Sequence, residues 1–212
     1  MLVLALDTAT PTLVAGVARW FSGTTAEGLA ERSVLSGTKH AELLTPAIRD
    51  ALGDAGLGMA DVEAVVVGLG PGPFTGLRVG VVTAAALSDA LGVPVIGVCS
   101  LDAVGSGART VVTDARRKEV YWATYAADGT RTAGPAVVRP ADLDAAGPFV
   151  GDPAFADRLG VAVEPADVTT AGLIRTAASQ LTDPASAAPL VPLYLRRPDA
   201  TPPTAIKAVS QT

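Results

Sequence analysis

The stretch that decides the fold covers residues 65–101, VVVGLGPGPFTGLRVGVVTAAALSDALGVPVIGVCSL. Its apolar beginning belongs to a strand predicted over residues 62–67, and a long helix over Phe74–Leu91 and a short strand over Val95–Val98 follow. The glycine- and proline-rich turn GLGPGP joins the first strand to the helix. The function depends on whether this unit binds a phosphate or another protein.

The turn lacks the residues of the common phosphate-binding loops. A P-loop needs G-x-x-x-x-G-K-[ST], and the stretch contains no lysine. A dinucleotide fingerprint needs G-x-G-x-x-G, whereas Gly70, Gly72 and Gly76 have a different spacing. Free N–H groups at the start of the helix still leave an anion site open as the alternative.

The helix itself favours packing. Gly76, Gly80 and Ala84 lie four residues apart and form a smooth face that lets another helix approach closely. The helix is apolar nearly all round, so we expect it to be covered on more than one side, with another chain as one candidate cover. Arg78 is the exception, and we expect its guanidinium to reach a carboxylate or helix-terminal carbonyls, inside the chain or across an interface.

Upstream of this stretch, apolar runs and turn signals predict three strands, near residues 2–6, 13–18 and 29–35. An amphipathic helix over residues 38–52 follows, and Pro46 should kink it because it lies beyond the first turn. The order β-β-β-α-β-α, with Asp7 at the end of the first strand, is that of the halves of actin-like and ribonuclease H-like α/β folds.

The second part of the chain repeats this pattern. Asp7 and Asp114 each follow an apolar strand, and a new strand opens six residues after each of them. The second part has sparser helices, with predicted strands around 109–113, 120–125 and 136–139 and a helix over 166–181. We therefore predict a two-domain actin-like (ASKHA) fold with a reduced second half. The predicted bounds are 1–104, 105–200 and, for a frayed tail, 201–212.

Composition restricts the function classes. The 212 residues are 49% hydrophobic and 17% charged, which predicts a globular protein, and no uninterrupted apolar run has the length of a membrane span. The N-terminus resembles a buried strand rather than a signal peptide, so we expect a cytoplasmic protein. A single cysteine, Cys99, and a single histidine, His40, are too few for a zinc site, and no cofactor is expected. With a net charge of -5 and scattered basic residues, tight binding of nucleic acid by the chain alone is disfavoured.

Several motifs together resemble one family. The segment GPGPFTGLRVG at 70–80 is preceded by KHAELLTP at 39–46 and followed by GVCSLDA at 97–103. DARRKEVY at 114–121 and PLYLR at 192–196 have counterparts there as well. From residue 1 to about residue 200, the chain closely resembles the TsaB family, bacterial subunits of the tRNA threonylcarbamoyladenosine machinery.

The resemblance implies a two-domain actin-like fold and a noncatalytic role. It implies binding to a homologous catalytic subunit, TsaD, which transfers a threonylcarbamoyl group to N6 of adenosine 37 in tRNAs that read codons beginning with A. It also implies a homodimer when the chain is alone, contact with the ATPase subunit TsaE, and access to tRNA only through the complex. The catalytic subunit has two metal-binding histidines, whose places are taken here by Ser100 and Val104. No catalytic or metal-binding residue is therefore predicted, and the chain is not expected to be an enzyme.

The resemblance further implies a four-helix interface, in which the two long helices of the first half pair with the same helices of the partner. The predicted interface residues are His40, Leu43, Leu44, Ala47, Ile48, Thr75, Gly76, Arg78, Val79, Gly80, Val82 and Thr83. Pro73 stands where the family more often has serine, which removes a hydroxyl that could cap the helix or contact a phosphate. On this interpretation the opening stretch binds a protein.

A nucleotide-binding alternative stays open. Asp7 and Thr8 lie where actin-like phosphotransferases bind metal and nucleotide, and Asp114 lies at the corresponding corner of the second half. Together with Gly70 and Gly72 they define a vestigial nucleotide cleft, which an actin-like ATP hydrolase or kinase would use. The favoured interpretation is that each aspartate caps its own turn.

The remaining polar motifs have weaker functional interpretations. His40, near the start of its helix, is expected to pack or to lie in the interface rather than to act as a general base. Arg116, Arg117 and Lys118 form a basic turn tip that is expected to be solvated, with contact to tRNA in a complex as the alternative. A metalloprotease is excluded because one histidine cannot build the usual site.

Overall fold

The computed structural model describes residues 1–196. The first half contains β1 (Leu2–Asp7), β2 (Thr12–Ser22), β3 (Thr25–Leu35), α1 (His40–Asp54), β4 (Ala64–Gly68), α2 (Phe74–Leu91) and β5 (Val95–Val98). The second half contains β6 (Arg109–Asp114), β7 (Val120–Tyr125), β8 (Arg131–Val138), β9 (Phe149–Gly151), α3 (Ala156–Leu159), β10 (Val163–Pro165) and α4 (Thr170–Thr182). The predicted frayed tail lies outside the described residues.

Each half contains a five-stranded mixed sheet with the same topology. The strand order is β3-β2-β1-β4-β5 in the first sheet and β8-β7-β6-β9-β10 in the second. In each sheet the first three strands along the chain are antiparallel neighbours. The other two continue from the central strand in parallel. This duplication confirms the predicted two-part actin-like α/β fold.

The first sheet is covered by helices on both faces. Because side chains alternate along a strand, Leu4 and Leu6 of β1 pack with α1 and α2, whereas Val3 and Ala5 pack with α4. All four side chains are fully buried. Burial of both faces explains why β1 and β4 are almost entirely apolar in sequence.

The two long helices of the first half agree well with their sequence patterns. α1 begins at His40, two residues after its predicted start, and contains Pro46 beyond its first turn. α2 has the predicted bounds. It ends at Gly92, which adopts a left-handed φ of 67° and donates its N–H to Ser88 O at 2.9 Å. The kink at Pro46 stays a prediction.

By length and composition alone, α2 is the one helix within residues 1–196 that could cross a membrane. This is weak evidence for a span, because the core helix of a soluble protein meets the same criteria. One side of α2 packs on β1 and β4. Only uninterrupted apolar runs were counted as possible membrane spans in the sequence. Polar residues interrupt the apolar residues of α2, so α2 was not recognised as a candidate span. A cytoplasmic location stays a prediction.

The second half has much less helical cover, as predicted. The connection that corresponds to α1 contains a 3-10 turn over Pro140–Asp142, and the four-residue α3 stands in the place of α2. The strands β9 and β10 were not predicted, because three residues are too few to show an alternating pattern.

α4 differs from its prediction in its start and in its packing. It begins at Thr170 rather than at residue 166, because Thr169 caps it with Oγ1, which accepts the N–H of Gly172 at 3.0 Å. Although it follows the second sheet in sequence, α4 packs on the first sheet. The chain leaves the first sheet at Val98 and enters the second at Arg109, so the predicted boundary after residue 104 lies within this connection.

Candidate partner interface and nucleotide cleft

Asp7 lies in a closed corner at the carboxyl end of β1. Its side chain has no solvent exposure. One carboxylate oxygen accepts the N–H of Ala9 at 2.8 Å, and the other accepts the hydroxyl of Ser100. The Ser100 hydroxyl also accepts the N–H of Gly70 at 3.0 Å, which joins the corner to the glycine-rich turn. Both carboxylate oxygens therefore accept a hydrogen bond from a group of the chain itself.

Burial raises the pKa of Asp7 to about 6. The hydrogen bonds from Ser100 and Ala9 and the nearby imidazole of His40 favour the carboxylate and limit this rise. The proton on this carboxyl is thus held more firmly in the folded chain than in the unfolded one.

Thr8 fixes the beginning of α2 to the end of β1. Its hydroxyl donates to Gly76 O at 2.7 Å and accepts the N–H of Gly80 at 3.1 Å. A Cβ at Gly76 would lie 2.6 Å from Thr8 O, and one at Gly80 would overlap the Thr8 hydroxyl. The smooth face of α2 therefore packs on Thr8 inside the chain. The prediction that Gly76, Gly80 and Ala84 let a partner helix approach is wrong for this reason.

The glycine-rich turn packs as tightly on the corner. Gly70 has a φ of 94°, a conformation that glycine adopts at little cost. A Cβ at Gly72 would overlap the main-chain oxygen of Ala9. Both glycines are buried, so the turn encloses the end of β1 rather than forming an open phosphate cradle.

Asp114 lines a cavity of about 320 Å³, which Asp7, Thr8, Gly70 and Gly72 do not line. The walls come from the β1–β2 turn, the end of β3 and the strand ends of the second sheet, and the charged lining residues are Asp114, Asp152 and Asp167. A cavity whose charges are all negative repels an unaccompanied phosphate. Asp114 Oδ1 accepts the N–H of Arg116 at 2.7 Å and so caps its own turn, as the favoured interpretation expected.

The structure therefore separates the five residues of the predicted vestigial cleft. Asp7, Thr8, Gly70 and Gly72 form one closed, buried group, and none of them lines the cavity beside Asp114. A nucleotide site made of all five residues stays a prediction, and the burial and internal hydrogen bonds of the first four disfavour it.

Ser100 and Val104, which stand in the places of the catalytic subunit's histidines, are structural here. Ser100 joins Asp7 to the turn, as described above. Val104 is 1% exposed and forms an isolated bridge with Val168. Neither an engaged hydroxyl nor a valine side chain suits a transition metal. His40 is also engaged within the chain, since its Nε2 lies 2.8 Å from Thr10 O.

The predicted partner interface divides into an inner and an outer group. Half of the predicted residues are buried within the chain, which removes them from any direct contact: His40, Leu44, Ala47, Ile48, Gly76 and Gly80. This is a correction, because helical spacing alone does not tell which side of α1 or α2 faces the sheet. The other half are exposed or half-buried: Leu43, Thr75, Arg78, Val79, Val82 and Thr83. We call these last six residues the outer face.

Within the outer face, Val82 is 65% exposed, which is unusual for a valine in the middle of a long apolar helix. Thr75, Arg78 and Val82 follow each other at helical spacing, and Ala86, which was not predicted, continues this exposed stripe of α2. Within residues 1–196, all four residues of this stripe are exposed.

Arg78 has different partners from those predicted. Its Nε donates to the hydroxyl of Tyr194 at 3.1 Å, and its guanidinium lies 3.8 Å from the centre of the Phe74 ring. The rings of Phe74 and Tyr194 are themselves in contact, with 4.9 Å between their centres. Aromatic stacking thus takes the place of the predicted carboxylate or carbonyl.

Sequence reasoning also missed a buried cation between the halves. Arg109 is 3% exposed, and its guanidinium donates to the main-chain oxygens of Val104 at 2.6 Å, Gly107 at 2.8 Å and Asp102 at 3.2 Å. It also lies over the ring of Tyr125. These contacts fix the connection between the two sheets. The signal in the sequence that could have indicated this buried cation is an arginine at the first position of an apolar strand.

Comparisons with known proteins agree with this architecture. The family model described as TsaD, tRNA N6-adenosine threonylcarbamoyltransferase, matches residues 34–200. An uncharacterized protein of Mycobacterium tuberculosis is 54% identical over 94% of both chains. The crystal structure of YeaZ from Pseudomonas aeruginosa superposes with a TM-score of 0.74 at 26% identity, over 92% of this chain and 99% of that one.

A named relative is the Escherichia coli tRNA threonylcarbamoyladenosine biosynthesis protein TsaB, which is 36% identical over 60% of this chain and 56% of its own length. The fold and the family model define a protein of the actin-like threonylcarbamoyltransferase class. Within that class, the chain belongs to the TsaB family.

Proposed function

We propose that this chain is a noncatalytic subunit that binds the catalytic homologue TsaD through its outer face. Membership of the TsaB family gives it a role in tRNA threonylcarbamoyladenosine biosynthesis and associates it with the TsaD-containing complex. The observation that carries the finer proposal is the exposed stripe of α2, whose central Val82 is 65% exposed on an otherwise apolar helix. Water contact with such a stripe is unfavourable, and a matching apolar helix face would remove it.

The noncatalytic part of the proposal is supported by the closed corner. The nucleotide-binding alternative, an ATP hydrolase or kinase, needs Asp7 to face a bound metal and the turn to hold a phosphate. Ala9 and Ser100 occupy the carboxylate, and Thr8 occupies the first turns of α2. Homodimer formation through the same face, contact with TsaE and access to tRNA through the complex complete the proposal.

The experiment measures binding of the full-length chain to the catalytic homologue. In Val82→Glu a charge replaces the centre of the exposed stripe, so the dissociation constant should rise at least tenfold while the melting temperature stays close to that of the wild type. Val161→Glu is the matched control, because Val161 is 40% exposed but lies in the second half, far from α2 in sequence. Unchanged binding by Val82→Glu would place the interface elsewhere.

Activity assays test the catalytic assignment. The isolated chain should neither modify tRNA nor turn over ATP, and addition of the catalytic homologue and the ATPase subunit should restore tRNA modification. Robust ATP hydrolysis by the isolated chain that is lost in Asp7→Ala would instead support the ATP hydrolase or kinase.

A further inference from the structure

Basic residues that are distant in sequence meet in one cavity of the second half. The cavity has a volume of about 470 Å³, and its lining consists of Arg117, Lys118, Arg139, Pro140, Ala141 and Arg158. We call it the basic pocket. Four of its six lining residues are cationic and none is acidic, although the whole chain has a net charge of -5. The basic residues are scattered along the sequence, and the fold brings these four together.

The β6–β7 hairpin supplies one wall of the basic pocket. Arg116, Arg117 and Lys118 at its tip all have a left-handed φ, between 53° and 63°. Three consecutive residues other than glycine in this conformation are unfavourable, so neighbouring contacts must hold the tip in place. Two main-chain hydrogen bonds close the hairpin: Ala115 donates its N–H to Glu119 O at 3.0 Å, and Glu119 donates its N–H to Arg116 O at 3.0 Å.

The carboxylates beside this tip have their own partners. Glu119 pairs with Arg196, whose guanidinium also donates to Ala115 O at 2.7 Å. Asp114 accepts the N–H of Arg116 and lies 3.5 Å from its guanidinium. Both acids are thus directed to arginines outside the lining and do not neutralise Lys118, Arg139 or Arg158.

The opposite wall comes from the short elements that replace the long helices. Arg139 directly precedes the 3-10 turn Pro140–Asp142, and Arg158 lies in α3, which packs on that turn. The side chains of Lys118, Arg139 and Arg158 are all exposed, and Arg158 lies near the Phe155 ring, 5.7 Å from its centre. The two arginines therefore stand on a packed base with their guanidinium groups accessible to solvent.

We propose that the basic pocket binds the phosphate backbone of RNA. Guanidinium groups pair with phosphate oxygens in a bidentate manner, and a lysine adds a mobile point charge. Several cations around a cavity of this volume suit consecutive phosphates of a nucleic acid chain, and release of their counterions drives binding without base recognition. The proposal rests on the proposed function, because membership in a tRNA-modifying complex makes tRNA the RNA that this pocket meets.

The experiment compares the complex of the full-length chain and its catalytic homologue with two charge-matched variants. Arg139→Gln with Arg158→Gln removes two cations of the basic pocket. Arg19→Gln with Arg32→Gln removes two arginines of the first sheet, which pair with Glu27 and Asp54, and serves as the control. Unmodified tRNA is titrated at several salt concentrations, and co-purification with the catalytic homologue is measured separately.

The basic-pocket variant should bind tRNA at least tenfold more weakly than the wild type. In a plot of the logarithm of the binding constant against the logarithm of the salt concentration, the slope should become less steep by about 1.5. The reason is that each lost phosphate contact contributes about 0.7 to 0.9, and the variant loses two. The control should keep the wild-type slope. An unchanged slope in the basic-pocket variant would overturn the proposal. The proposal would also be overturned if the basic-pocket variant no longer co-purified with the catalytic homologue but kept the wild-type salt dependence of tRNA binding. The pocket would then bind an acidic protein segment.

The two proposals fail in distinguishable ways. If the wild-type chain does not co-purify with the catalytic homologue, the proposed function fails, and the same titration is made with the isolated chain at low salt. A difference between the basic-pocket variant and the control there still supports RNA binding by the pocket, and equal weak binding by both overturns it.

Discussion

The two halves have the same strand order but differ in the helices that connect the strands. In the first half, α1 has 15 residues and α2 has 18. In the second half, the corresponding connections contain a three-residue 3-10 turn and the four-residue α3. The second sheet shows that this topology forms without long crossover helices. The strand order therefore does not require the length of α1 and α2, and the proposed partner interface on the outer face would account for it.

The difference extends to the corners where the central strand of each half ends. Asp7 is followed by Thr8, whose hydroxyl bonds to α2, and both side chains are fully buried. Asp114 is followed by Ala115, and Asp114 lines an open cavity. The first half has closed its corner around a long helix, whereas the second half has kept space at the same place.

The largest effect is expected at the strand ends next to these corners. β4 ends at Gly68, where a Cβ would overlap the Asp7 carboxylate, and β9 ends at Gly151, where a Cβ would overlap Val112 O. Gly68→Ala should lower the free energy of unfolding by about 3 kcal/mol or more, since the buried carboxylate cannot move into water. Chemical denaturation measures this. If Gly151→Ala lowered the unfolding free energy far less than Gly68→Ala, the two strand ends would not be equivalent.

The second effect is a pH dependence of stability that arises in the closed corner. The pKa of Asp7 is raised from 3.8 to about 6 by burial, so the folded chain binds this proton more tightly than the unfolded chain. The stability gained is complete below pH 3.8 and is lost as the pH rises through about 6. Its size is about 3 kcal/mol at most.

Asp7→Asn removes this titration. The difference in unfolding free energy between the wild type and Asp7→Asn should therefore change across the interval from pH 3.8 to about 6, to the disadvantage of the wild type at the upper end. Denaturation at a series of pH values measures the difference. Asp114→Asn is the control and should keep the pH dependence of the unfolding free energy that Asp7 causes. Parallel stability curves for the wild type and Asp7→Asn would contradict the account of the closed corner.

A smaller effect is expected when the first corner is made chemically similar to the second. Thr8→Val keeps the shape of the side chain but removes the hydroxyl, so Gly76 O and the N–H of Gly80 lose their shared partner. The cost should be about 2 kcal/mol. Thermal unfolding gives the stability, and hydrogen exchange of the Gly80 amide reports the local opening. Slow exchange at Gly80 with no loss of stability would contradict the role given to Thr8.

The smallest effect concerns α1, which has no helical counterpart in the second half. Gly53 lies inside α1, and a Cβ there would meet no heavy atom within 4 Å. Gly53→Ala should therefore raise the unfolding free energy by about 0.5 to 1 kcal/mol, because alanine favours the helical backbone. This variant is also the control for Gly68→Ala, since the same substitution is expected to act with the opposite sign. A destabilised Gly53→Ala would mean that space around α1 is smaller than the structure indicates.

The first half was the more predictable because its patterns are long. Phe74–Leu91 has the predicted bounds, and the duplicated sheet was expected because Asp7 and Asp114 each lie between an apolar strand and a new strand six residues later. β9 and β10 were missed because three residues show no period. The inner and outer sides of α2 could not be separated from sequence, because valines occupy both: Val81 is buried and Val82 is exposed. The basic pocket could not be predicted either, since Arg139 and Arg158 meet Lys118 only after the second sheet has formed.

The segment at the end of the described chain has a practical consequence for mapping by deletion. Leu193 donates its N–H to Leu69 O at 2.8 Å, Tyr194 bonds to Arg78 beside the outer face, and Arg196 holds the hairpin that carries Lys118. A truncation before residue 192 would therefore loosen the proposed protein-binding surface and the proposed RNA-binding pocket at once. A loss of protein binding or of RNA binding in such a truncation could therefore not be assigned to one of the two surfaces. Tyr194→Phe and Arg196→Gln, made one at a time, separate the two surfaces, because each removes the contact to only one of them.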